Sequence, residues 1–294
     1  MTRVGIIGYG FVGKLYGDFF ARRHPVVAVD EHGIAAFLYC QDGLAADIRF
    51  PDAIDRTGKH LVGNLAAANL CDLAVICLPT PQTDRMRLDS PADTSIIEWW
   101  LERLTTPLIL IKSTVPPGST AKWREKYGKR IVFSPEFGGE SSYYTNEQRY
   151  LHPTKIETHP FVVLGGPDED TVPIQQLLLP ILGPEKEYIF VRNPTEAEMM
   201  KHVINSWGAM KVVIWNEYFE MCRRLGLNFH AVRELALKDK RIEPMHTAVF
   251  EDKRGFGGRC YPKDTAALLA LMAEHDYVPA MLNTAVTTNA EWNK

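Results

Sequence analysis

The sequence predicts an α/β chain in two parts: a doubly wound parallel sheet over residues 1–193, then an all-helical segment over 194–294. Three observations carry this. Short apolar runs recur through the first part, and most of them end in polar, proline-containing loops. The first run leads straight into Gly8-Tyr9-Gly10-Phe11-Val12-Gly13. Beyond Pro194 the large apolar residues fall at helical spacing.

With 294 residues the chain is long enough for about two domains. It is 46% hydrophobic and 23% charged with a net charge of -3, so nothing in its charge invites nucleic acid or an anionic membrane surface. The apolar runs are strand-sized, far short of the roughly 20 residues that span a bilayer. The N-terminus enters a strand without a signal-peptide pattern. The five cysteines, Cys40, Cys71, Cys77, Cys222 and Cys260, are odd in number and lack paired metal-ligand spacing. A reduced, cytoplasmic protein without a bound metal is the expectation.

Residues 4–7 read as the first strand, 8–13 as a GxGxxG turn, and the segment to about 23 as a helix opened by Phe11 and Val12. Residues 26–29 read as a second strand ending at Asp30. In such a unit Gly8 makes the tight turn, Gly10 admits a pyrophosphate, and Gly13 lets the helix sit close to the strand. The helix N-terminus favours the phosphate charge. Asp30 is placed to bind ribose hydroxyls, which selects NAD over NADP. The unit is therefore Rossmann-type. Further strands are expected over 73–78, stopping at Pro79-Thr80-Pro81, and over 108–111, stopping at Lys112-Ser113-Thr114-Val115-Pro116-Pro117-Gly118. Another covers 131–133, stopping at Ser134-Pro135-Glu136-Phe137. In a parallel sheet these carboxyl ends gather, so the loops are expected to line one site. A strand over 161–166, a helix over 168–182 and a last strand over 188–191 complete this part. Between Asp30 and Cys71 no periodicity stands out, and Asp52, Asp55, Arg56, Lys59 and His60 read as a solvated face. The polar stretch 139–160 carries no assignment.

Pro194-Thr195-Glu196-Ala197-Glu198 reads as a helix start, with Thr195 and Glu198 at capping-box spacing, and the helix continues to Leu225 before Gly226. Val203, Trp207, Met210, Ile214 and Phe219 occupy more than one of its faces, which predicts burial in a homodimer or between domains. Lys201 and Asn205, four residues apart, share a face and need polar partners. A ligand oxygen is one option and a satisfied interface pair the other. Shorter helices are expected over 229–237, 265–274 and 280–292.

Between the helices expected over 229–237 and 265–274 lies Gly255-Phe256-Gly257-Gly258-Arg259-Cys260-Tyr261-Pro262-Lys263-Asp264. Glycines let the backbone approach a ligand closely. A thiolate is a good nucleophile and a good leaving group from a thioester, and Lys263 nearby favours it. An isolated cysteine is more often a small buried hydrophobe. Here the other segments point to the same chemistry.

Taken together, these motifs resemble those of the UDP-glucose/GDP-mannose 6-dehydrogenase family. The resemblance rests on the 8–13 turn, Pro79-Thr80-Pro81, Ser113 to Gly118, Ser134-Pro135-Glu136-Phe137, Glu198 to Asn205 with Asn216-Glu217, and Gly255 to Asp264. They come in family order along nearly the whole chain. The resemblance implies a 6-phosphogluconate-dehydrogenase-like arrangement: an NAD-binding domain over 1–193 and a helical dimerisation domain over 194–294. It implies four-electron oxidation of a sugar C6 alcohol to the carboxylate, with two NAD per turnover. Cys260 would carry the thiohemiacetal and the thioester. Lys201, Asn205 and Thr114 would hold the substrate oxygen and a catalytic water, and Asp264 would help take the alcohol proton. Glu136 would assist thioester hydrolysis, with Glu140 a secondary candidate. Gly8, Gly10, Phe11, Val12, Gly13, Asp30, Pro79, Thr80 and Thr114 would bind NAD. Phe137, Glu140, Lys201, Gly255, Gly257, Gly258 and Arg259 would bind a small-molecule substrate of nucleotide-sugar type.

The sequence also departs from the family. The family carries a third, C-terminal domain that holds much of the nucleotide, and this sequence stops where that domain would follow. Pro135-Glu136-Phe137-Gly138-Gly139-Glu140 stands for the family's Pro-Glu-Phe-Leu-x-Glu, and Lys253-Arg254 for its usual Pro-Gly. Three consequences stay open: Lys253, Arg254, Arg259 and a dimer partner bind the nucleotide, the substrate is smaller, or the chain binds NAD and turns over poorly. The competing readings are a two-electron hydroxyacid-type dehydrogenase with a structural Cys260, and a non-catalytic NAD-binding protein.

Overall fold

The computed structural model describes residues 2–30, 33–38, 61–137 and 156–292. Two compact units separate within them: residues 2–80, 94–137 and 156–199 in one, 81–93 and 200–292 in the other.

The first unit holds strands β1 (Val4–Ile7), β2 (Val26–Asp30), β3 (Gly33–Leu38), β4 (Leu73–Ile76), β5 (Leu108–Ile111), β6 (Ile131–Phe133), β7 (Phe161–Gly165) and β8 (Glu187–Val191). They form one sheet in the order β3-β2-β1-β4-β5-β6-β7-β8. The runs β1, β4, β5 and β6 are buried along their whole length, as strands of a sheet covered on both faces must be. Ile6, Phe20, Val75, Leu110, Val132 and Leu164 build the core on one face. Each such side chain contributes about 1.5–3 kcal/mol by leaving water. Helices α1 (Phe11–Phe20), α2 (Leu61–Asn69), α3 (Ser95–Arg103), α4 (Ser119–Tyr127) and α5 (Asp168–Leu182) connect the strands.

The sheet is parallel from β2 through β6 and again between β7 and β8. At two junctions the pairing is antiparallel: β3 lies antiparallel on β2, and β7 antiparallel on β6. Asp30 pairs with Gly33, a connection too short for any crossover, so only a hairpin is possible there. The strand order reverses between β1 and β4, the position at which open α/β sheets bind ligands.

Several boundaries differ from expectation. Helix α1 ends at Phe20, and β4 stops at Ile76, so Cys77 and Leu78 belong to the following loop. Helices α2, α3 and α4 and strand β3 were not predicted. Helix α4 buries only Thr120 and Trp123, too little for a clear period. The capping box at Thr195 and Glu198 is not formed. Asn193 Oδ1 instead accepts from the Thr195 amide at 3.1 Å, and the Glu198 carboxylate turns to the start of α4. Cys40, the Asp52, Asp55, Arg56, Lys59 and His60 group, and Gly138, Gly139 and Glu140 lie outside the described residues.

The long helix α6 (Pro194–Arg224) begins at the end of the first unit. The second unit continues with α7 (Phe229–Ala236), α8 (Tyr261–Ala273) and α9 (Ala280–Trp292). Trp215, Phe219, Cys222, Phe229 and Val249 pack into its apolar cluster. Helix α8 starts at Tyr261 rather than at 265, because Pro262 suits the first turn, where no amide donor is needed. Lys263 and Asp264 are therefore helical residues. Among the described residues Cys71, Cys77, Cys222 and Cys260 form no disulfide. Among the described residues no helix is long and apolar enough to cross a membrane.

Candidate active site

The glycine turn sits at the carboxyl end of β1. Gly8 has φ 88°, and a Cβ there would stand 2.8 Å from the Cys77 carbonyl oxygen. A Cβ on Gly13 would fall 1.9 Å from the Gly8 carbonyl oxygen. Around Gly10 nothing lies within 4 Å of the same position. Two glycines are thus required by the fold itself, while the third keeps space open at an uncapped helix N-terminus. With Asp30 ending the neighbouring strand β2, these residues fit a dinucleotide.

The loops after β4, β5 and β6 are tied to one another. Thr80 Oγ1 donates to the Thr114 carbonyl at 2.7 Å, and Ser113 Oγ to the Leu78 carbonyl at 2.7 Å. Lys112 Nζ donates to Ser134 Oγ at 3.0 Å and to the Pro135 carbonyl at 3.2 Å, and lies 3.9 Å from Glu136 Oε2. Pro79 is exposed beside them. The buried Lys112 ammonium also lies 4.4 Å from the centre of the Tyr16 ring. Burial, then the neighbouring Glu136 carboxylate, hold the Tyr16 phenol well above its ordinary 10. Burial likewise lifts the Cys77 thiol. Sequence reasoning passed over Lys112 and Tyr16. A lysine directly after a fully apolar strand was the available signal for the first.

Two amides at the start of α4 donate to Glu198, the Gly118 amide to Oε2 at 2.6 Å and the Thr120 amide to Oε1 at 2.8 Å. The carboxylate is fully buried. Burial raises it from 4.5 to about 7, against the lowering effect of those bonds and of Lys122. Glu198 therefore fixes the far end of the Thr114 loop. Phe137, expected against substrate, stacks its ring on His159 at 4.5 Å and meets Phe161 edge-on at 5.5 Å.

In the second unit Cys260 is the N-cap residue of α8 and is exposed. The positive end of the helix favours a thiolate there. Lys263, expected to support that thiolate, pairs instead with the Asp264 carboxylate. Asp264 is buried, and its Oδ2 accepts from Asn205 Nδ2 at 2.5 Å. His202 Nδ1 lies 3.2 Å from the Asp264 carbonyl oxygen, a contact with no sequence signal. Lys201, one turn before Asn205, is half-buried. Gly255 and Gly258 take left-handed conformations, with φ 72° and 78°. Gly257 and Gly258 have nothing within 4 Å of a Cβ position, and Arg259 is exposed.

Arg254, one of the residues considered for holding a nucleotide, bonds to α6. Its Nε donates to Asn216 Oδ1 at 2.6 Å, its Nη2 to the Asn216 carbonyl at 2.9 Å and its Nη1 to Glu220 Oε1 at 2.7 Å. Three of the five guanidinium N–H donors are thus taken up within the unit.

The sheet order, the glycine turn and Asp30 define a Rossmann-type dinucleotide-binding unit, and similarity to known proteins makes the chain an NAD-dependent oxidoreductase. Residues 195–291 match the central-domain model of the UDP-glucose/GDP-mannose dehydrogenase family. UDP-glucose 6-dehydrogenase AglM of Haloferax volcanii is 31% identical over 97% of this chain and 69% of its own. UDP-glucose 6-dehydrogenase of Streptococcus pneumoniae is 29% identical, covering 99% and 73%. Among solved structures, a UDP-glucose dehydrogenase from Pyrobaculum islandicum superposes with TM-score 0.74 at 22% identity, over 99% of this chain and 68% of that one. The 3-hydroxyisobutyrate dehydrogenase of Mycobacterium tuberculosis gives 0.65 at 15%, over 99% and 94%, a likeness of fold alone. The chain belongs to the UDP-glucose/GDP-mannose dehydrogenase family. It spans about 69% of the length of the first of these relatives.

Proposed function

We propose that this chain oxidises the C6 alcohol of a nucleotide sugar to the carboxylate in two two-electron stages, through a covalent intermediate on Cys260. The observation that carries the reading is the exposed Cys260 thiol at the N-terminus of α8, with the buried Asp264 one turn on and bound to Asn205. NAD, when bound at the glycine turn, supplies the two-electron acceptor for each stage.

Asp264 draws the proton from the alcohol through a water, while Lys201 and Asn205 hold the oxygen on which charge develops. The Cys260 thiolate attacks the aldehyde carbon, forming the C–S bond of a thiohemiacetal, and the oxygen takes up a proton. Oxidation of that adduct leaves a thioester. Water then adds with help from Glu136, the C–S bond breaks, and the carboxylate leaves as the thiol is restored. Lys112 supplies the counter-charge that Glu136 needs in its half-buried place. Thr114, Thr80 and Pro79 border the cofactor, with Phe11 and Val12 at the start of α1. Phe137, Gly255, Gly257, Gly258 and Arg259 contact the sugar nucleotide. We assign residues 1–193 to the NAD-binding domain and 194–294 to the helical domain, and propose a homodimer working in the cytoplasm.

A panel of UDP- and GDP-sugars assayed for NADH formation tests the reading. At least one should turn over, and Cys260→Ser should lose turnover while still binding NAD, because its dinucleotide contacts lie elsewhere. Wild-type turnover by Cys260→Ser would make the cysteine structural and the reaction a two-electron one.

A further inference from the structure

We propose that Asn289 and Arg254 are positioning residues for Cys260, holding the glycine loop between α9 and α6. The inference rests on Cys260 being the covalent nucleophile. The loop contains Gly255, Gly257 and Gly258, two of them left-handed, and its open glycines offer little packing of their own. A chain so rich in glycine has many conformations to lose, and specific bonds beside the buried Phe256 ring are needed to hold it in one.

Those bonds come from two asparagines and one arginine. Asn289, buried on α9, uses both ends of its amide on one residue. Its Oδ1 accepts from the Phe256 amide at 2.6 Å, and its Nδ2 donates to the Phe256 carbonyl at 3.0 Å. The side chain therefore pairs with the loop as a neighbouring strand would. Asn216, buried on α6, accepts from the Gly255 amide at 3.2 Å with the same oxygen that Arg254 Nε holds. Arg254 continues to Glu220, and its guanidinium lies 4.6 Å from the Phe219 ring centre and 5.4 Å from that of Trp292 on α9. Phe256 itself is buried, so an unpaired amide or carbonyl there would stay unpaired. Cys260 lies four residues beyond Phe256 in this loop. A displacement of about 1 Å at a reacting atom can cost about 10²-fold in rate.

The test compares Asn289→Leu, which removes both bonds, with Asn289→Asp, which keeps the acceptor for the Phe256 amide and loses the donor. Hydrogen exchange of the segment around Phe256 reports whether the loop is released. The rate of Cys260 alkylation by iodoacetamide, without NAD or sugar, reports the thiol's placement. Steady-state assays give kcat and the KM for NAD separately. Asn289→Leu should speed exchange at the loop, change the alkylation rate at least about threefold and lower kcat at least about tenfold. The KM for NAD should stay within about twofold, since the cradle of the cofactor is elsewhere. Asn289→Asp should fall between Asn289→Leu and wild type, and Arg254→Met should act in the same direction. The proposal is overturned if the loop is released and neither alkylation nor kcat changes, or if kcat and KM change together with a general loss of folding in both Asn289 variants. If wild type turns over no nucleotide sugar, the functional reading fails, and the alkylation rates alone still decide whether the clamp places the thiol.

Discussion

Gly10 and Gly13 stand three positions apart under opposite constraints. A methyl on Gly13 would run into the Gly8 carbonyl at 1.9 Å, whereas one on Gly10 would meet nothing within 4 Å. Gly13→Ala should therefore destabilise the fold by several kcal/mol, beyond the ordinary cost of a point change. Gly10→Ala should melt within a few degrees of wild type and weaken NAD at least about tenfold, because its methyl takes the space of the pyrophosphate. Thermal melting with NAD calorimetry on both variants checks the pair, and equal melting points would refute it. Glu198 makes a second prediction. Its folded value, raised from 4.5 to about 7, means that the protonated form favours the fold. That contribution is complete below about pH 4.5 and is lost as pH rises through about 7. The stability advantage of wild type over Glu198→Gln should thus shrink by roughly 3 kcal/mol between pH 4.5 and 8, at about 1.4 kcal/mol per pH unit. A gap that does not change with pH would count against it. The glycine roles were legible because local backbone geometry dictates them. The partners of Glu198 and Asn289 were not, since each bonds across a large sequence separation.

At the scale of elements, α6 was readable from its apolar content, and its ends fall within a residue of expectation at 195–225. Helix α8 was misread by a turn, because its first residues are those of the cysteine loop and carry no apolar period. Strand β3 and helix α2 lie within the stretch between Asp30 and Cys71, where the sequence shows no clear pattern. Helix α3 could have been found from Ile97, Trp100 and Leu101, which are buried at helical spacing. Along α6 and at the residue just past it, Val203, Trp207, Tyr218, Met221 and Leu225 remain exposed in the single chain, Trp207 at 56% and Leu225 at 72%. With the half-buried Met210 and Ile214 they recur at steps of three and four. A stripe of that spacing suits a second helix. Light scattering at micromolar concentration should give a homodimer, and Trp207→Asp with Leu225→Asp should give a monomer. A monomeric wild type would contradict the role proposed for α6.

For the whole molecule, the order of motifs along the chain foretold a sheet unit followed by helices, and the strand order then placed the glycine turn at the switch between β1 and β4. What the sequence could not show is which charges are already spent. Arg254 is committed to Asn216 and Glu220, and Lys263 to Asp264. Asp30 should repel the 2′-phosphate of NADP and favour NAD by at least about tenfold, about 1.4 kcal/mol. Calorimetry showing equal affinity for both cofactors would refute this. The central claim is a four-electron oxidation through Cys260, and counting NADH against sugar consumed tests it most directly. With the nucleotide sugar that turns over, wild type should yield two NADH for each C6 carboxylate formed, with no free aldehyde. One NADH per sugar, with an aldehyde or ketone as product, would contradict it.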